Sequence, residues 1–124
     1  MNTQNKQTGA EGERFAENFL KDKGWVILAR NWTIGPWELD LIALKEDILS
    51  FVEVKTLTQP GGYYPERRAN KQKFRNMAKA GDLYLSTHSH NGQVRFDVIA
   101  VTLLPHPPEI IHFTDVWFPN NLGR

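Results

Sequence analysis

The chain has 124 residues, 40% hydrophobic and 23% charged, enough for one domain with a buried core and too apolar for wholesale disorder. Fifteen Lys and Arg against fourteen Asp and Glu leave a formal charge of +1, which excludes an overall basic coat but not a local basic patch. Cysteine is absent, so disulfides, thiolate metal sites and cysteine catalysis are excluded and a cytoplasmic protein is expected.

Residues 1–7 are polar, with no apolar segment of the signal-peptide kind, and read as a loose N-terminus. Thr8 and Glu11 form a capping-box pattern, which predicts a helix starting near Gly9. Phe15, Ala16, Phe19 and Leu20 make its apolar stripe. Gly12 falls on the same stripe and would let the helix lie close to a sheet. Gly24 is its expected stop. Residues 25–29 are a short apolar run, expected as an edge or first strand, and residues 33–36 read as a turn. Residues 38–44 and 48–55 are expected as two strands of a hairpin.

Residues 66–85 read as a second helix with Phe74, Met77, Ala78, Gly81 and Leu85 as its buried stripe. Asn91-Gly92 is a turn, residues 94–104 a strand ended by Pro105, and residues 110–113 a final strand. The tail, residues 119–124, reads as loose. Helix, three strands, helix and strand in one chain of this length predict a single α/β domain over residues 1–124, with a mixed sheet. No run approaches the roughly 18 apolar residues of a membrane span, so no membrane partner is expected.

The hairpin carries the chemistry. A two-residue turn at Glu46-Asp47 pairs Lys45 with Ile48 and sets Asp40 opposite Glu53. One face then reads Asp40, Ile42, Leu44, Leu49, Phe51, Glu53, Lys55, and the other Leu39, Leu41, Ala43, Ser50, Val52, Val54. Both are apolar in the middle, so helices should cover both. At the far end, Asp40 and Glu53 face each other, and like charges there repel. A divalent cation would offset that, since Mg²⁺ takes carboxylate oxygens. Lys55 could instead neutralise one carboxylate, and an ion pair on a solvated strand end is the plain alternative.

Arg67, Arg68, Lys71, Lys73, Arg75 and Lys79 fall in the second helix, with no acid from position 67 to 81. Arg68, Lys71, Arg75 and Lys79 are spaced to share one face and suit phosphate contact; an ordinary solvated face is the alternative. Tyr63 and Tyr64 sit in a Gly- and Pro-containing loop after Lys55 that could stack on bases or merely connect. His88 and His90 lie in a Ser, Asn and Gly stretch that reads as a surface loop. Arg95 and Asp97 share a strand face, which suits an ion pair; Asp97 as an extra metal ligand is the weaker reading.

Asp40, twelve residues, then Glu53-Val54-Lys55 resembles the catalytic pattern of the PD-(D/E)XK nuclease superfamily. A closer resemblance runs from about residue 9 to residue 101. Gly9-x-x-Gly12-Glu13-x-x-Ala16, Asn31, residues 38–43, residues 51–55, Lys71-Gln72 and residues 95–98 resemble, in order, the YraN-like family of small bacterial proteins related to archaeal Holliday-junction resolvases. That resemblance implies a restriction-endonuclease-like mixed β-sheet flanked by helices on both faces, and a Mg²⁺- or Mn²⁺-dependent endonuclease acting on DNA, branched DNA included. By it, Asp40, Glu53, the Val54 carbonyl and Glu13 would hold the metal. Lys55 would serve the attacking water and the phosphate, and Arg68, Lys71, Lys73, Arg75 and Lys79 would contact nucleic acid. A homodimer is implied as well. Trp37, where the family has glycine, and Leu57, where it has a basic residue, depart from the pattern. They motivate a second reading, a nuclease-fold module that binds nucleic acid without cutting it. A third is a partner-binding protein that keeps a relic site.

Overall fold

A computed structural model describes residues 3–61 and 71–116. Seven elements follow in order: α1 (Thr3–Asp22), β1 (Val26–Ile34), β2 (Trp37–Lys45), β3 (Ile48–Leu57), α2 (Lys71–Thr87), β4 (Gln93–Thr102) and β5 (Glu109–Phe113). The strands form one five-stranded sheet in sequential order. The β3/β4 pair is parallel and the other three pairs are antiparallel, so the sheet is mixed. A parallel pair needs a long crossover, and the segment containing α2 supplies it. The restriction-endonuclease-like α/β architecture expected of the sequence is compatible with this arrangement.

The hairpin turn sets the register. Glu46 takes a positive φ of 54°, and Lys45 pairs with Ile48 as expected. From there the pairing runs to Leu41–Val52. Ile42, Leu49 and Phe51 pack under α2 with Phe74, Met77, Ala80 and Tyr84. Leu41, Ala43 and Val52 pack under α1 with Ala16 and Leu20. Each side of the sheet therefore has its own core, which answers to the hairpin being apolar on both faces.

Gly12 is what brings α1 down. A Cβ there would overlap the Thr56 side chain of β3, so only glycine allows this approach.

Several expectations need correction. α1 begins at Thr3, not near Gly9, so residues 3–7 are helical rather than loose. Gln4, Lys6 and Gln7 are adequate helix formers, and nothing between them and Thr8 stops the helix. Thr33 and Ile34 belong to β1, and the turn shrinks to Gly35 and Pro36, with Gly35 at φ 57°. Leu39 lies in the α2 core beside Ile42 rather than with Leu41, so side-chain alternation breaks across Asp40. Asn31, level with Asp40 between the Arg30–Leu41 and Trp32–Leu39 pairs, has φ 46° and marks the same irregularity on β1. Tyr84 and Ala80 were missing from the expected stripe, and Ala78 is only half-buried. Tyr63, Tyr64, Arg67, Arg68, Trp117 and residues 119–124 lie outside the described residues. Among the described residues, no helix is long and apolar enough to cross a membrane.

Candidate metal centre

The break at Asp40 creates the site. Beyond Leu41–Val52 the Asp40 carboxylate stands where a β2 backbone acceptor would be, and its Oδ2 accepts a hydrogen bond from the Val54 N–H at 2.8 Å. A strand residue turns its N–H and C=O to the same edge, so the Val54 carbonyl faces this gap too. Glu53 approaches from the α2 side of β3. Its Oε2 lies 3.4 Å from Lys73 Nζ on α2. Asp40, Glu53, Glu38, Lys73, Asn76 and Met77 line a small cavity of about 150 Å³.

Glu13 comes from α1. Burial raises its pKa, a hydrogen bond from the Asn31 side chain opposes this, and the nearby Glu38 charge adds to the rise. Asn31 thus has two roles: asparagine tolerates the positive φ at this position, and its side chain holds Glu13. For Asp40, burial raises the pKa most. The Val54 N–H lowers it, the Glu13 and Glu53 charges raise it and Lys73 lowers it, leaving it at about 6. Three carboxylates on three elements therefore feel one another.

Lys55 follows Glu53 on the same strand face, about 7 Å further along β3, and its side chain is exposed. The basic residues of α2 have different partners. Lys73 joins the carboxylates, while Lys79 Nζ lies 5.6 Å from the Trp37 ring centroid. Arg75 and Lys79 border a separate groove of about 600 Å³ between α2 and β4. The Lys71 side chain lies outside the described residues. Arg14 and Arg30 were not singled out by the sequence pattern. Both line a cavity of about 410 Å³ that also contains Glu13, Asn18 and Asn31, on the α1 side of the same centre. Arg30 is held there by two 2.6 Å hydrogen bonds to Glu17.

The oxygen donors suit a hard cation such as Mg²⁺ or Mn²⁺. Among the described residues, no three His, Asp or Glu groups stand close enough to hold a metal between them. An ion here would rest on Asp40, Glu53, the Val54 carbonyl and water, with Glu13 approaching from α1. Lys73 supplies positive charge to Glu53 meanwhile.

Elsewhere, charged groups are spent on structure. Asp97 is fully buried and accepts from Arg95 Nε at 3.1 Å, Arg95 Nη2 at 2.9 Å and the Asp115 N–H at 2.9 Å, and it pairs with His112 Nε2 at 2.8 Å. The expected Arg95–Asp97 ion pair is present. With its oxygens so engaged, Asp97 is poorly suited to ligate a metal. His88 stacks on Tyr84 with centroids 4.1 Å apart, and His90 pairs with the Asp47 carbonyl at 2.7 Å. Both are surface-loop residues, as read.

The profile of Uncharacterised protein family UPF0102 matches residues 12–101. A UPF0102 protein of Bacteroides thetaiotaomicron is 33% identical over 116 residues, covering 94% of this chain and 96% of its own. One of Flavobacterium psychrophilum is 36% identical over 110 residues, covering 89% and 92%. One of Nocardia farcinica is 39% identical over 111 residues, covering 88% and 87%. The chain belongs to the UPF0102 family, the YraN-like group that its motifs resemble.

Proposed function

We propose that this UPF0102 protein is a metal-dependent endonuclease that hydrolyses DNA phosphodiester bonds, with branched DNA as its candidate substrate. The observation that carries the reading is Asp40. A carboxylate held at the gap beside Val54, whose pKa is raised to about 6 by burial first and by the Glu13 and Glu53 charges second, is costly to keep ionised unless a cation is recruited. Asp40, Glu53 and the Val54 carbonyl would hold Mg²⁺ or Mn²⁺, with Glu13 closing the site from α1. The ion would supply Lewis-acid stabilisation of phosphate charge and a more acidic bound water. Lys55 would orient the attacking water and stabilise negative charge on the phosphate. Lys73, Arg75 and Lys79 would contact the nucleic-acid backbone from the α2 side, with Arg68 and Lys71, expected from the sequence, as further contacts. Arg14 and Arg30 would do so from the α1 side.

Calorimetric titration with Mg²⁺ and Mn²⁺, followed by a cleavage screen over branched, flapped and linear DNAs, tests this. Cation binding and cleavage in the wild type, both lost in Asp40→Ala and Glu53→Ala, are expected. A wild type that cuts no DNA structure with either ion overturns the nuclease reading.

One observation favours a second reading, a nucleic-acid-binding module without cleavage. Lys73 already neutralises Glu53 at 3.4 Å, and Leu57 and Trp37 stand where basic and small residues are usual. That reading expects salt-dependent DNA binding unchanged by Asp40→Ala.

A further inference from the structure

A further open cavity, with basic side chains on its wall, lies beside the β2–β3 turn, away from Asp40. It measures about 370 Å³. Lys45 on its wall is five residues from Asp40 along β2, so the two are about 16 Å apart. Lys23, just past α1, Lys45 at the end of β2, Arg95 on β4 and His112 on β5 converge on it, with Thr114 adding a hydroxyl. Glu46 is the single carboxylate among its lining residues.

Three of these groups, Lys23, Arg95 and His112, have ring contacts. Lys23 Nζ lies 5.5 Å from the Phe19 ring centroid, and Arg95 Cζ lies 5.5 Å from that of Trp25. His112 meets Phe19 and Trp25 edge-on, with centroids 6.2 and 6.4 Å away. Asp97 anchors Arg95 through Nε and Nη2, leaving Nη1 outside that pair, and it fixes the His112 ring through Nε2, leaving Nδ1 outside. Ser50, level with Arg95 on the adjacent strand, has a buried hydroxyl with no hydrogen-bond partner among the described residues. Asp97 is taken up by Arg95 and His112, so Glu46 is the carboxylate that the lining sets beside Lys23 and Lys45. Phe19 and Trp25 form part of the apolar wall beside these groups.

We propose that Lys23, Lys45, Arg95 and His112 form a phosphate-binding site separate from the Asp40–Glu53 centre. The shared chemistry is a phosphate group, carried either by a free phosphorylated small molecule or by a nucleic-acid backbone. The inference does not rest on the nuclease reading, because it uses none of that site's residues.

The test uses the full chain with inorganic pyrophosphate and, separately, short duplex DNA, by calorimetry at matched ionic strength. The variants are Lys23→Ala/Lys45→Ala, which leaves the buried Asp97 network untouched, and Asp40→Ala. Thermal melts report whether each remains folded. Pyrophosphate should bind the wild type and Asp40→Ala equally. The double variant should lose at least about tenfold in affinity, the loss expected for one or two charged hydrogen bonds. A double variant whose log K against log salt slope for DNA falls in magnitude by about 1–2 assigns the phosphate to nucleic acid. An unchanged slope with lost pyrophosphate binding assigns it to a free ligand. A double variant matching the wild type on both probes, or a wild type that binds neither, overturns the site. Failure of the nuclease reading would appear in the cleavage screen instead, with pyrophosphate binding intact.

Discussion

Two aspartates on neighbouring parts of one sheet have opposite fates. Asp97, fully buried on β4, is surrounded by donors: the Arg95 guanidinium, the His112 ring and the Asp115 N–H. Burial alone would raise its pKa, but His112, Arg95 and the backbone donor outweigh burial and hold it near 2. Asp40, half-buried on β2, has one backbone donor and two carboxylates for neighbours, and burial with their repulsion lifts it to about 6. The difference lies in the partners more than in depth. Donors that converge on a carboxylate make it a structural anchor. Carboxylates that converge on one make a site that is stabilised by adding positive charge.

The comparison is broken most directly at Asp97. Asp97→Ala leaves Arg95 and His112 facing a buried void, so a loss of about 3–5 kcal/mol is expected in urea unfolding at pH 7. Asp40→Asn should do the reverse and stabilise the apo protein at pH 8 by about 3 kcal/mol, the equivalent of roughly two pKa units. The pH dependence has opposite signs. Asp97 titrates lower when folded, so its stabilisation is full above about pH 4 and is lost as pH falls through 2. Asp40 titrates higher when folded, so its contribution is full below about pH 4 and is lost as pH rises through 6. Unfolding of wild type and Asp40→Asn between pH 4 and 8 should therefore diverge towards high pH. Saturating Mg²⁺ should close that gap by restoring the wild type. A gap that stays constant with pH would mean that Asp40 is not perturbed.

Gly12→Ala sharpens the same comparison from a distance. The added methyl meets Thr56, so a cost of about 1–3 kcal/mol is expected. Pushing α1 outward also moves Glu13 from Asp40, so the Asp40 pKa, read by carboxyl carbon NMR, should fall towards its ordinary value while that of Asp97 stays put. The smallest effect belongs to Arg30→Ala, whose guanidinium is exposed despite its paired hydrogen bonds to Glu17. Its unfolding midpoint should be indistinguishable from wild type. Its DNA affinity should fall if the α1-side cavity carries a backbone.

Much of this was legible in the residues. The hairpin register followed from two turn residues, and the two-faced apolar pattern required helices on both sides. The need for glycine at position 12 was visible on the α1 stripe. The approach of Asp40 and Glu53 was legible as well, but the arrangement at Asp40 was not. A strict alternation rule cannot foresee Leu39 crossing to the α2 side, a break that coincides with the positive φ of Asn31 on the neighbouring strand. The spacing on α2 set Lys79 on a basic face and left Lys73 off it, but it did not show their partners, Trp37 and Glu53, which only the crossover brings near. His112 carried no local signal at all, since it lies 15 residues from Asp97 in sequence.

By itself the sequence determined what is periodic or short-ranged: the apolar stripe of α1, the two-faced hairpin, its turn and its register. Those depend on local backbone sterics and on which face must leave water. Tertiary structure alone decided which charges meet. It gave Asp97 its donors and Asp40 its fellow carboxylates, and it gathered Lys23, Lys45, Arg95 and His112 around one cavity. Electrostatic environment depends on distance in space, and chain separation carries almost no information about that.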